Sequence, residues 1–236
     1  MARIGAADGI GTVCVTPHCF NGTGDITRRD VTHRMARLAG QISNAGIKLR
    51  LCLGTEAHLI PGLAKRVEAG EVATINNTGK YLLVELPVHS LPDNTKEEIF
   101  QLRLQGVTPI IAHPERNPQL AMLPELIPAL IDMGCLMQVT AMSVTGGAGP
   151  EVLRFTHRLL RQGMVHLIAS DAHSAGDRRP ELSTAVAVAG EVMGDPDAAR
   201  AMVTARPEAI LKGLAVEVPG YRVGERGGGR GGFRRW

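Results

Sequence analysis

The decapeptide PIIAHPERNP (109–118) begins as an apolar run and ends in an imidazole, a carboxylate and a guanidinium, at His113, Glu115 and Arg116. The run VHLIASDAH (165–173) ends in the same manner, at Asp171 and His173. Three more runs share the habit. GTVCVTPH (11–18) closes on His18, LRLCLGTEAH (49–58) on Glu56 and His58, and KYLLVELP (80–87) on Glu85. A single His after an apolar run is ordinarily a loop residue. Five such ends carrying His, Asp or Glu are hard to assign to chance. Imidazoles and carboxylates without thiolates suit zinc, manganese or iron, and mixed sets often hold more than one ion. Two neighbouring ions can bridge a hydroxide and clamp a phosphate. Arg116, with Arg178 or Arg179 beyond SDAH, offers the planar fork that binds phosphate in bidentate fashion.

Competing chemistries leave weaker traces. Thiol-dependent phosphatases place an Arg six positions after the nucleophilic Cys. Here the sixth positions after Cys14, Cys19, Cys52 and Cys135 are Phe20, Asp25, His58 and Ala141. The chain has no phosphate-binding P-loop signature and no G-x-S-x-G elbow. Ser170 directly precedes Asp171 and has no base at suitable spacing.

The elements that must position these groups are readable from the pattern. The five runs, with CLMQVTAMSV (135–144) as a sixth, are mostly continuous rather than alternating, as in parallel strands covered on both faces. Helical patterns lie between them. PEVLRFTHRLLRQG starts on Pro150 and stops at Gly163, LPELIPALIDMG stops at Gly134, and residues 26–46 read as a longer helix behind Asp25. Strand alternating with helix predicts a parallel α/β fold, whose functional face is the C-terminal end of the strands. That is where every one of these polar residues falls.

Hydrophobic residues make up 44% of the 236 and charged residues 21%, as in an ordinary globular chain, while aromatics are only 3%, so the core must be aliphatic. No apolar run approaches the ~20 residues a bilayer needs, the start lacks a signal core, and four scattered cysteines suit a cytoplasmic setting. The last 17 residues, GYRVGERGGGRGGFRRW, hold five Arg and one Glu; setting aside their +4 turns a net charge of +3 into about −1. The main body thus shows no bias towards nucleic acid. The expected organisation is one domain over 1–215 and a disordered Gly/Arg-rich tail over 216–236.

In order along the chain, VTPH, GTEAHL, LLVELP, IIAHPERN, LIDMGCLMQV and HLIASDAHS resemble the bacterial capsule and exopolysaccharide protein-tyrosine phosphatases (CpsB/CapC type) of the polymerase-and-histidinol-phosphatase (PHP) superfamily. The resemblance spans residues 1–213, ending at ARPEAILKG. It implies a distorted (β/α)7 PHP-type barrel with a cluster of two or three metals, usually manganese, at its C-terminal face. His18, Glu56, Glu85, His113, Asp171 and His173 would be metal ligands, and Arg116 and Arg178 would bind phosphate. Arg178 is preferred to Arg179 because its offset from His173 matches the family. The implied substrate is the phosphotyrosine-bearing tail of a bacterial tyrosine kinase, with the membrane touched only through that kinase, and the implied attack is by a metal-bridging hydroxide. The family opens with a strand carrying His-x-His and an Asp-Asp-Gly segment. This chain shows neither, so the first barrel strand is expected to be missing, with fewer metals and weaker turnover as the consequence. Two alternatives stand beside this reading: a phosphoesterase acting on a small ester such as histidinol phosphate, and a binding module without turnover.

Overall fold

A computed structural model describes residues 1–20, 28–88, 91–218, 220–222 and 233–234. All six apolar runs are strands. The first two hesitate. β1 (Thr12–Val15) resumes as β2 (His18–Cys19) after Thr16 and Pro17, and β3 (Arg50–Leu53) resumes as β4 (Glu56–His58) after Gly54 and Thr55. Pro17 has no N–H to give to a ladder. The register nonetheless runs straight through, with Val15 opposite Leu53 and His18 opposite Glu56. β5 (Tyr81–Glu85), β6 (Thr108–Ala112), β7 (Leu136–Thr140) and β8 (Leu167–Ala169) follow side by side in chain order, every pairing parallel. An unreversed order belongs to the singly wound βα layout and excludes a doubly wound sheet with a switch point.

Helices make the crossovers. α1 (Ala2–Ala7) leads into β1, α2 (Arg28–Asn44) joins β2 to β3, α3 (Leu63–Glu68) joins β4 to β5, and α4 (Thr95–Leu104) joins β5 to β6. α5 (Pro118–Met122) and α6 (Leu126–Asp132) precede β7, and α7 (Ala141–Thr145) and α8 (Pro150–Arg161) precede β8. α9 (Ser183–Met193), α10 (Pro196–Ala201) and α11 (Ala205–Leu211) complete the fold. The expected helix over 26–46 is thus α2, and its expected cap, Asp25, lies outside the described residues. α8 begins on Pro150, whose missing N–H costs nothing in the first turn.

The strands are apolar throughout because both faces are covered. Tyr81, Leu83, Ile110, Leu136 and Leu167 pack into one buried cluster, while their neighbours Leu82, Val84, Ile111, Met137 and Ile168 pack into another together with Leu102, Ile131 and Leu159 from the helices. Truncating any of these to Ala should cost about 2–5 kcal/mol. The two outer edges, β1–β2 and β8, have no further strand partner among the described residues. Both border one cavity of about 800 Å³, lined by Val13, Val15, Leu83, Ile110, Leu167 and Ile168.

Past the expected boundary near 216, the described residues stay in contact with the domain. Val216 and Val218 pack against the cluster around Tyr81, whose hydroxyl donates to the Leu214 carbonyl at 2.7 Å. Tyr221 is buried, its hydroxyl donates to Asp132 Oδ1 at 2.6 Å, and the Arg222 N–H donates to the Gln162 carbonyl at 2.8 Å. A single tyrosine with a buried hydroxyl partner anchors a stretch whose composition read as solvated. β9 (Tyr221–Arg222) pairs with β10 (Phe233–Arg234) antiparallel; 223–232 and 235–236, where the rest of the expected disordered tail falls, lie outside the described residues.

Candidate metal and phosphate site

Residues on one face of a strand alternate, and Glu85 shares parity with Tyr81 and Leu83, so it points to the same side of the sheet as Leu83, which lines the cavity. His18 and Glu56 face each other in register one strand away, and His58 is opposite Glu85. His113 is on the wrong parity: after Ala112 it would point to the helices with Ile111. Its left-handed backbone (φ 32°, ψ 53°) turns it back. A non-glycine residue held there carries strain, a frequent mark of functional sites. A 3-10 turn, Pro114–Arg116, follows and swings Arg116 towards β8.

Four of the six expected ligands meet closely. Ligand atoms of His18, Glu56 and Glu85 all lie within 4.8 Å of one another. His113 Nε2 is 3.0 Å from Glu56 Oε1 and 3.5 Å from Glu85 Oε1. His18 Nδ1 and His58 Nδ1 approach Glu85 Oε2 at 3.3 and 3.5 Å, yet both nitrogens are buried and neither makes a well-formed hydrogen bond. His113 feels two opposed influences. Burial disfavours its charged form, but the hydrogen bond and charge of Glu56 prevail and hold its pKa above the ordinary imidazole value.

The other two expected ligands sit with the arginines. Asp171 Oδ2 accepts from Arg116 Nη1 at 3.0 Å and from Arg178 Nη2. His173 Nδ1 is 3.6 Å from Asp171 Oδ1 and 3.0 Å from the Asp171 carbonyl. The His18 and His173 rings, 6.2 Å between centroids, join the two halves. Of the two candidate arginines beyond SDAH, Arg178 points in. Arg179 points out, donating to the carbonyls of Ala175 and Gly176.

Two residues lay outside the expected set. His58 stands at a strand end but has no role in the expected set; the strand register is what places it against Glu85. Glu115 sits inside HPER, yet it turns inward and is buried. Thiol chemistry has no support here: burial pushes the pKa of Cys14 and of Cys135 up to about 12 and raises that of Cys52.

A family model for capsular polysaccharide synthesis, CpsB/CapC, matches residues 1–212. The tyrosine-protein phosphatase YwqE of Bacillus subtilis is 29% identical over 92% of this chain and 84% of its own length. The putative tyrosine-protein phosphatase CapC of Staphylococcus aureus is 30% identical over 73% of this chain and 67% of its own. Among solved structures, one described with YwqE from Bacillus subtilis and CpsB from Streptococcus pneumoniae as metal-dependent tyrosine phosphatases aligns with a TM-score of 0.88. It is 28% identical and covers 92% of this chain and 87% of that one. The parallel α/β fold and the order of the strand-end residues therefore have one source: the chain belongs to the CpsB/CapC capsular polysaccharide synthesis family.

Proposed function

We propose that this chain is a metal-dependent protein-tyrosine phosphatase that dephosphorylates a bacterial tyrosine kinase controlling capsule or exopolysaccharide synthesis, in the cytoplasm. The observation that carries the reading is the convergence, at one strand-end face, of an under-bonded imidazole–carboxylate cluster with two guanidinium groups. The donor set fits a divalent cation. Its nitrogens and oxygens lie a few ångströms apart, two buried imidazole nitrogens lack hydrogen bonds, and no thiolate competes. Such a set suits manganese among the harder divalent ions.

His18, Glu56, Glu85 and His113 would hold the cation with their lone pairs, and Asp171 and His173 would add to it from the β8 side. A bound divalent ion lowers the pKa of water and neutralises charge on phosphoryl oxygens. His58, its Nδ1 3.5 Å from Glu85 Oε2, would add a further imidazole beside that carboxylate. Arg116 and Arg178 exchange their shared contact with Asp171 for the phosphoryl oxygens and fix the orientation of the group through charge-assisted bonds. A strand bearing His-x-His, of the kind the resemblance implies, would find unpaired backbone groups at the two strand edges that border the cavity. An N-terminal extension carrying that strand should raise bound manganese, thermal midpoint and turnover together.

The test is turnover of a phosphotyrosine peptide beside histidinol phosphate. Exhaustive chelation should abolish it, manganese should restore it, and thiol alkylation should leave it unchanged. Activity surviving chelation, or a preference for the small ester, overturns the reading.

A further inference from the structure

We infer that Glu115 is a positioning residue whose buried carboxylate pins the turn carrying His113 and Arg116 to the end of β7. The inference rests on the function proposed above. Glu115 is 2% exposed, and no Lys or Arg pairs with it among the described residues. A charge buried without a counter-ion is costly unless its hydrogen bonds repay desolvation. Oε1 accepts from the Thr140 N–H at 2.9 Å and from Thr140 Oγ1 at 3.1 Å. Thr140 Oγ1 lies 2.6 Å from Ser143 Oγ and accepts from the Ser143 N–H at 3.3 Å, which caps α7.

The place of these bonds tells what they do. The β6–β7 ladder ends at Ala112 opposite Gln138. Beyond it, the left-handed turn at His113 carries the β6 chain away, and Thr140, paired with Ala169 of β8, would have no backbone partner on the β6 side. The Glu115 carboxylate takes over that pairing. The HPER turn is therefore bound on one side to β7 through Glu115, while His113 and Arg116 face the site on the other. Arg116 is 42% exposed and, among the described residues, its guanidinium bonds only Asp171, so its aim depends on the turn beneath it.

The experiment is a double-mutant cycle read as orthophosphate affinity of the manganese-loaded protein, with kcat/KM on a phosphotyrosine peptide beside it. E115A should weaken orthophosphate binding by about 10–100-fold, the usual effect of losing a supporting partner. E115Q should stay within about threefold of wild type, because one acceptor oxygen serves both Thr140 donors. In an R116A background E115A should cost less than about threefold, since the group it aims is gone. Additive losses in the cycle, or E115Q as impaired as E115A with an intact thermal transition, would overturn the assignment. Should E115A fail to fold, E115D, with its carboxylate one methylene short of Thr140, carries the same cycle and the same criteria. Absent turnover in wild type refutes the proposed function, while the orthophosphate cycle still decides Glu115.

Discussion

The site has two unlike halves. On the β2–β6 side, Glu56, Glu85 and His113 have side chains 6%, 16% and 17% exposed, and two carboxylates face three imidazoles at 3.0–3.5 Å. On the β8 side, Arg116 and His173 are 42% and 43% exposed, and one carboxylate holds two guanidiniums. With neutral imidazoles the first half carries net negative charge and the second net positive. One half is a seat for a cation and the other for an anion, set edge to edge through His18 and His173. With a divalent cation held in the first half, a phosphate ester at the junction would meet positive charge from both sides.

Glu85 should discriminate the halves most sharply. It faces His18, His58 and His113 at once, so no other side chain among the described residues replaces it. E85A should remove most bound manganese and lower kcat/KM about a thousandfold or more, because a metal contributes several kcal/mol and each ~1.4 kcal/mol is tenfold. The thermal midpoint without metal should move little, since the change relieves crowded charge rather than opening the core. Elemental analysis beside kinetics checks this; full manganese in E85A would show that the first half is no cation seat.

Arg116 and Arg178 test the other half. Each single change to Ala should lower kcat/KM about 10–100-fold, the equivalent of roughly 1.5–3 kcal/mol for a charge-assisted bond, with bound manganese unchanged. Because both guanidiniums engage Asp171 Oδ2, the double mutant should lose less than the two losses combined. Their exposure adds a second prediction: orthophosphate affinity should fall with ionic strength, and the fall should flatten in R116A. Manganese lost along with the arginine would dissolve the division into halves.

Much of this was legible because position along a strand carries meaning. Asp171 and His173 end the run that His166 opens, and their fates differ completely. His166 is 1% exposed, its Nδ1 accepts from the Met137 N–H, and burial, with Arg206 nearby, drives its pKa down to about 3, so it is a neutral core residue. The apolar runs, their parallel pairing and the residues at their C-terminal ends follow from local composition and period. What did not follow depends on contacts distant in sequence. The roles of His58 and Glu115 are set by cross-strand register and by a left-handed turn, and neither leaves a compositional mark. Tyr221 lies in a stretch whose glycine and arginine content reads as disordered, and its buried hydroxyl bond to Asp132 leaves no mark in that composition.

The smallest expected effect concerns how the anion half is held. Asp171, His173 and Arg178 ride on the loop between β8 and α9. Its far end is fastened by Asp8, at the end of α1, whose Oδ2 accepts from the N–H groups of Leu182 and Ser183 at 2.6 and 3.1 Å and whose Oδ1 accepts from the Ser183 hydroxyl. The carboxylate thus caps α9 from a helix 174 residues earlier in the chain. D8A should cost about 1 kcal/mol of stability, as the loss of an N-cap does. Even if the loop felt all of it, orthophosphate affinity would drop no more than about fivefold, and bound manganese should stay the same. Partial burial pushes the Asp8 pKa up, but the bonds from Leu182 and Ser183 outweigh it and hold the group below its ordinary 3.8. The folded value is the lower one. The cap's full contribution is therefore present above the unfolded value and fades as pH falls through 3.8 towards the folded one. D8N keeps an acceptor without the charge, so its stability should not fall in that window on this account. Thermal midpoints of wild type and D8N, measured from pH 6 down to about pH 3, should converge as the pH drops. A gap that stays constant would mean that the charge of Asp8 does not fasten the loop.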